Sequence, residues 1–497
     1  MRRVILALGG ILAAGFPMFA ATPPEPTRTP RLRVVDLDVD EAQNIVLCDG
    51  KRATVKLRKV NEVRDPINHS VRQPEVELEV NGKPITLVAG NYRLPVEVGG
   101  VQVDCSITGG YRANTTIDHW GLVKAARVRL WPAGSPWFEP GALVYPAKQR
   151  WFASSTQMAN EPVHVDGGER PGDHKIYYHS GLDIGGAEGL TPVVSATDGL
   201  VVSAGKIAVP GYEDTPVEPR YDVVYILDDQ GWYYRYSHLF SIDAAMTPGA
   251  IVKKGQPLGI LGKEGGSGGW SHLHFEIVSR QPSGKWGTQE GYAFLWQAYL
   301  EEYKPEILAV ARPHQVAWVG EKVTIDGSRS WAKDGPIENI GWATWGQEER
   351  AIGGDLLHFL VAFEKPGVYG INLRVTDRAG HSSYDFAPVQ VYDRDHPERL
   401  PPSIHAAFYP TMGIQPGDPV TFKVRTFRTT AGEETWDFGD GTEKVRVKSD
   451  GNAQPLAKDG YAVTVHKFAK AGDYLVHVDR ANERNEAAEA WLHVRIE

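Results

Sequence analysis

The segment Ser271-His272-Leu273-His274-Phe275-Glu276-Ile277 decides how this chain is read. Alternate side chains of a β-strand share a face. His272 and His274 therefore project together with Glu276 beside them, while Leu273, Phe275 and Ile277 turn the other way into a core. Two imidazoles held side by side on a rigid strand suit a metal site. Directly upstream, Gly262-Lys263-Glu264-Gly265-Gly266-Ser267-Gly268-Gly269-Trp270 is turn-forming and lets a substrate backbone come close.

Working outward, His179 and Asp183 in His179-Ser180-Gly181-Leu182-Asp183 are the next candidate ligands. Alone, such a pair is more often solvated or structural, and His164 with Asp166 is set aside on that ground. Strand signals follow at 193–196, 200–204, 223–227 and 232–239, the last containing Tyr236-Ser237-His238-Leu239. The Pro- and acid-rich stretch 208–220 reads as a loop inserted between strands. Gly265-Gly266-Ser267-Gly268-Gly269 also fits the G-x-S-x-G serine elbow, but that elbow joins a strand to a helix. Here a strand follows, so a serine nucleophile is disfavoured. No His-Glu-x-x-His is present, so the helix-borne glutamate base of that motif is missing.

At 497 residues the chain is too long for one core, and two to four domains are expected. A hydrophobic content of 42% excludes a wholly disordered chain. A formal net charge of -9 without any long basic run speaks against nucleic acid as a partner. Residues 1–21 combine a positive start, an apolar run and small residues, and read as a secretory signal peptide. The alternative is an uncleaved anchor helix, disfavoured by Gly9, Gly10 and Pro17. No other segment could cross a membrane, so a secreted, periplasmic or cell-surface location is expected. Cys48 and Cys105 lie in strand-like stretches and are predicted to form one disulfide, with two free thiols as the alternative.

The expected fold class is mainly β and multidomain. Residues 22–30 read as a flexible leader and 31–125 as an N-terminal β domain, with a hairpin turning at Asn81-Gly82. Residues 126–285 hold a Trp-rich approach (Trp131, Trp137, Trp151) and then the chemistry, whose core is 175–278. Residues 286–305 read as an amphipathic helix linking domains. Residues 306–395 and 402–497 read as two related β-sandwiches, separated by the stiff joint Leu400-Pro401-Pro402. They share an early strand (Val323 onward, Val420 onward), a Trp strand (Trp345, Trp436) and a Gly-x-Tyr turn (Tyr369, Tyr474). With Trp436-Asp437-Phe438-Gly439-Asp440-Gly441, they resemble PKD domains, immunoglobulin-like sandwiches of extracellular proteins. In the first, Trp345-Gly346-Gln347 stands where that run belongs.

Residues 175–278 resemble the lysostaphin-type zinc endopeptidases. The resemblance rests on His179–Asp183, Tyr236-Ser237-His238-Leu239, Gly255-Gln256-Pro257-Leu258-Gly259 and His272-Leu273-His274-Phe275-Glu276. It implies that His179, Asp183 and His274 hold one Zn²⁺, that His238 and His272 are catalytic, and that the substrate is a peptide of bacterial peptidoglycan cross-links. Three protein ligands leave a fourth zinc position open, and the metal brings the pKa of water toward neutrality. A histidine must then move the proton or stabilise the developing oxyanion, and the division of roles between His238 and His272 stays open. Glu276 either orients a neighbour from behind or is a surface carboxylate at the strand end. The chain departs from the family at Trp270-Ser271, where Gly-Pro is usual, and in the 208–220 insertion. Two rival readings are an endopeptidase acting on other glycine-rich extracellular protein, and a non-catalytic surface protein whose sandwiches bind wall or protein ligands.

Overall fold

A computed structural model describes residues 22–497, apart from 66, 68, 91, 114, 116, 159–162, 166–175, 345–349 and 352–356. The expected signal segment 1–21, Asp166 and Trp345-Gly346-Gln347 lie outside the described residues, and of His164 only the backbone is described. The regular secondary structure is almost all β-strand, with one α-helix among the described residues, Tyr292–Tyr303.

The N-terminal domain packs two four-stranded antiparallel sheets face to face. One runs Ala42–Val46, Arg52–Arg64, Val71–Val80, Lys83–Val88, and its last hairpin turns at Asn81-Gly82 as the sequence predicts. The other includes Arg33–Leu37, Ala126–Pro132 and Val101–Thr108. The strand Ala126–Pro132 therefore lies in this domain, past residue 125. Its two buried guanidiniums hold it there: Arg127 pairs with Asp36 and Arg129 with Asp104. A buried charge needs such a partner. Arg129 also reaches the Glu290 carboxylate at 3.3 Å and so ties this domain to the next.

Two expectations for this region are corrected. Residues 22–30 are anchored: Arg28 donates to the Asp229 carboxylate, and the Thr27 N–H to the Asp229 carbonyl. Cys48 and Cys105 are both free. Cys48 is exposed in the turn after Ala42–Val46, whereas the Cys105 thiol is buried among core side chains, so no S–S geometry is available.

The central sheet of the next domain is antiparallel, in the order Leu182–Gly185, His272–Arg280, Tyr233–Ser237, Val224–Leu227, Gly199–Ala204, Ile207–Ala208. Leu273, Phe275 and Ile277 enter a large core shared with Leu182, Ile184, Tyr234 and Tyr236, as alternation requires. The expected linker helix is shorter than its sequence range. Trp286–Gln289 instead forms a strand paired with Ile277–Arg280, and the helix starts at Tyr292. Its Phe294, Leu295, Trp296 and Tyr299 pack into that same core, which makes it part of this domain's interior.

The two C-terminal units are joined more tightly than a short joint implies. The strand Gly367–Thr376 of the first pairs in parallel with Ala487–Ile496 of the second, forming one nine-stranded sheet. The Gly-x-Tyr turns behave alike: Tyr369 Oη donates to the Lys365 carbonyl at 3.0 Å and Tyr474 Oη to the Lys470 carbonyl at 2.9 Å. Residues 153–155 add to the second sandwich's edge, where His493 N donates to the Ala153 carbonyl and Ser155 N to the Trp491 carbonyl. No described helix is long and apolar enough to cross a membrane.

Candidate metal centre and active site

The central strand His272–Arg280 carries the site, and its two neighbours complete it. Asp183 stands directly opposite His274 across one strand pair, and Ser237 opposite His274 across the other. His238 therefore follows at the end of its strand, just beyond His274's partner. His179 reaches the same place through a turn at Gly181, where φ is +74°. A Cβ at Gly181 would lie 2.5 Å from the Phe275 carbonyl oxygen, so only glycine lets this turn lie against the central strand.

The three expected ligands converge. His179 Nε2 lies 3.2 Å from His274 Nδ1, His274 Nδ1 2.9 Å from Asp183 Oδ1, and His179 Nε2 3.1 Å from Asp183 Oδ1. One face of a tetrahedron has edges of about 3.3 Å when its ligands sit about 2.0 Å from a zinc ion. The observed triangle is slightly tighter than that face, and two imidazole nitrogens with one carboxylate oxygen suit zinc. Among the described residues this is the group of His, Cys, Asp or Glu side chains that could hold a metal ion.

The electrostatics follow from burial and crowding. Burial pushes the Asp183 carboxyl up, but the imidazoles of His179 and His272 outweigh it and hold the group well below the usual carboxylate range. Burial alone would lower His274, yet its bonds to Asp183 and Glu276 raise it. Burial drives His272 well down, and it lowers His238 despite the neighbouring Asp222. Glu276 is 4% exposed, which rules out a surface carboxylate. It accepts from Thr288 Oγ1 at 2.6 Å and lies 3.7 Å from His274 Nε2, behind the ligand.

The two spare histidines are held alike. His238 Nδ1 meets the Glu264 carbonyl at 2.6 Å, and His272 Nδ1 meets the Trp270 carbonyl at 3.1 Å. A carbonyl only accepts, so both Nδ1 atoms carry hydrogen and each ring keeps Nε2 for the site. His272 Nε2 lies 3.6 Å from Asp183 Oδ1, and the His238 and His272 rings are 4.6 Å apart. The candidate Ser267 does not join them. Its hydroxyl donates to the Lys263 carbonyl and accepts from Gly269 N within its own turn.

Residues 177–285 match peptidase family M23. The chain thus carries an M23 peptidase domain, in agreement with the lysostaphin-type resemblance, and residues 406–496 match the PKD domain. No curated protein sequence matches the chain. Among solved structures, Helicobacter pylori Csd3 aligns at 18% identity over 50% of this chain and 82% of its own, with a TM-score of 0.19. The fibronectin(III)-like modules of Clostridium thermocellum CbhA align at 12% identity over 38% of this chain and 94% of theirs, with a TM-score of 0.15. TM-scores this low carry no functional weight.

Two residues beside the candidate site are not singled out by any sequence motif, Asp222 and Arg220. The Asp222 carboxylate accepts the His238 N–H at 3.0 Å and both Nε and Nη2 of Arg220, at 2.5 and 2.7 Å. It thereby holds His238 in a left-handed conformation with φ +66°. Arg220 Nη2 also lies 3.4 Å from His238 Nδ1. Both residues lie at the end of the inserted loop, where no motif marks them.

Proposed function

We propose that this chain is an exported zinc-dependent endopeptidase that hydrolyses peptide bonds in bacterial peptidoglycan cross-links. The observation that carries the reading is the convergence of His179, Asp183 and His274, with the His238 and His272 rings beside them. His179 Nε2, Asp183 Oδ1 and His274 Nδ1 would hold the ion, and Glu276 would steady His274 from behind. Bound there, zinc supplies Lewis acidity toward water and toward a peptide carbonyl.

The protein's own groups do the rest. Neutral His238 and His272 each offer an unprotonated Nε2 to the site, so either can take a proton there. His238 has the better support for holding one, because the Asp222 carboxylate stands 3.6 Å from its Nδ1. Once protonated, its Nε2–H returns the proton to the departing amine. His272 has a carbonyl rather than a carboxylate behind it, which suits steering the attacked carbonyl more than storing charge.

The test pairs metal analysis with turnover. The purified protein should contain about one zinc per chain. Peptidoglycan turnover should disappear on chelation and return with zinc, and His274→Ala should lose both metal and activity. Turnover that survives chelation, or that persists in His274→Ala, overturns the reading. Purified peptidoglycan run beside a glycine-rich protein separates the two substrate classes.

A further inference from the structure

The glycine-rich run ahead of His272 is gripped from outside its own domain, by polar groups of the C-terminal sandwich. Arg425 Nη1 donates to the Gly269 carbonyl at 2.7 Å, and Asn452 Nδ2 to the Gly268 carbonyl at 3.0 Å. Tyr461 Oη accepts the Ser271 N–H at 2.7 Å and donates to His405 Nδ1 at 2.9 Å. Burial pushes the His405 imidazole down to about 3, so it is neutral and free to accept that hydrogen. Arg425 is itself locked by both oxygens of Asp450 and by the Gln454 and Pro455 carbonyls. Gly269 fits closely: with φ +92°, a Cβ there would fall 2.2 Å from Asn452 Oδ1.

What these contacts hold is Trp270. Its ring stacks on the His272 imidazole at 3.8 Å and 16°, and meets His405 at 5.5 Å. Its carbonyl fixes the His272 tautomer. Simple domain adhesion would need only an apolar patch. Here three side chains of the sandwich, Arg425, Asn452 and Tyr461, reach the backbone of Gly269, Gly268 and Ser271, and a fourth, His405, meets the Trp270 ring itself.

We propose that the C-terminal sandwich is a working wall of the catalytic groove, in which Tyr461 and His405 are positioning residues that keep Trp270 flat against His272. The inference rests on the endopeptidase reading above. A stacked ring stops the imidazole from rotating about its stem, and small misplacements of a reacting group are expensive in rate. The family's usual Gly-Pro at 270–271 is replaced here by a ring that one domain supplies and another holds in place.

The test uses the full-length zinc-loaded protein. Tyr461→Phe removes one hydroxyl, and Trp270→Gly removes the ring. Each should lower kcat about tenfold with KM changed less than about twofold, and zinc content should stay unchanged. The double variant should be no slower than the worse single variant, because both break one chain of contacts. Trp270→Phe, which can still stack, should recover most of the rate. Hydrogen exchange of the Ser271 amide should speed up in Tyr461→Phe. If wild type turns over substrate and Tyr461→Phe matches it, or if the two losses simply add, the positioning role is overturned. A variant faster than wild type overturns it too, since the sandwich would then obstruct the groove. A wild type inactive on every peptide, zinc present, overturns the endopeptidase reading instead, and this inference with it.

Discussion

Asp222→Asn is the perturbation whose outcome the geometry specifies best. Asp222 is 1% exposed, and its two oxygens accept three N–H donors, two from Arg220 and one from the His238 backbone. An amide offers one acceptor oxygen and turns an N–H₂ toward the remaining donors. With its oxygen at the Oδ1 place, the amide turns N–H₂ toward Arg220 Nη2 and the buried His238 N–H, and orphaning that backbone donor costs about 1–3 kcal/mol; turned the other way, it orphans only the partly exposed Arg220 Nε. In the first orientation His238 loses what secures its left-handed backbone, a conformation that itself costs roughly 1–2 kcal/mol for a residue bearing a Cβ. It also loses the carboxylate 3.6 Å from its Nδ1. With about 1.4 kcal/mol per tenfold in rate, kcat should fall about 10- to 100-fold. Asp222 touches no ligand of the triad, so zinc content should hold at the wild-type value. The assay is steady-state peptidoglycan hydrolysis beside metal analysis of the same preparation. A kcat within twofold of wild type refutes the role given to Asp222. Loss of zinc together with rate refutes the separation between His238's support and the metal ligands.

Gly181→Ala puts a Cβ 2.5 Å from the Phe275 carbonyl oxygen at a residue with φ +74°, so the turn carrying His179 must shift. Zinc affinity, measured by competition with a chromophoric chelator, should fall at least about tenfold, since one of three ligands is displaced. Stability should drop as pH falls below about 6.5, because burial holds His405 down to about 3 in the folded chain while the unfolded chain takes up that proton near its ordinary value. The slope from this group is about 1.4 kcal/mol per pH unit across that window, and urea titrations at several pH values should show it reduced in His405→Gln. Reduction should leave folded stability unchanged, with Cys48 labelled by a maleimide in the native protein and Cys105 only after unfolding. Its thiol pKa is raised by burial, which compounds its inaccessibility.

Much of the site was readable from the chain because strand alternation is a local property. His272 and His274 had to share a face with Glu276, and the structure pairs that strand with Leu182–Gly185 so that Asp183 meets His274. Glu276 illustrates the limit of such reading. Its place on the face was legible, but its depth was set by the strand Trp286–Gln289, which pairs alongside and supplies Thr288, in a stretch whose apolar pattern reads as helix. The cysteines show the same limit. Strand-like surroundings said nothing about which side of a sandwich each thiol would face.

The amino-acid sequence by itself determined the mainly β architecture, the shared face of His272, His274 and Glu276, and the sandwich motifs, because each is written in short-range periodicity or in residues only a few positions apart. Only the tertiary structure decided that Asp222 braces His238, that the two sandwiches share one sheet, and that Tyr461 holds the backbone beside His272. Ser271 and Tyr461 are 190 residues apart. A contact across that distance leaves no periodic trace in either segment, since it depends on how separately folded surfaces dock, and each partner taken alone is an ordinary polar residue.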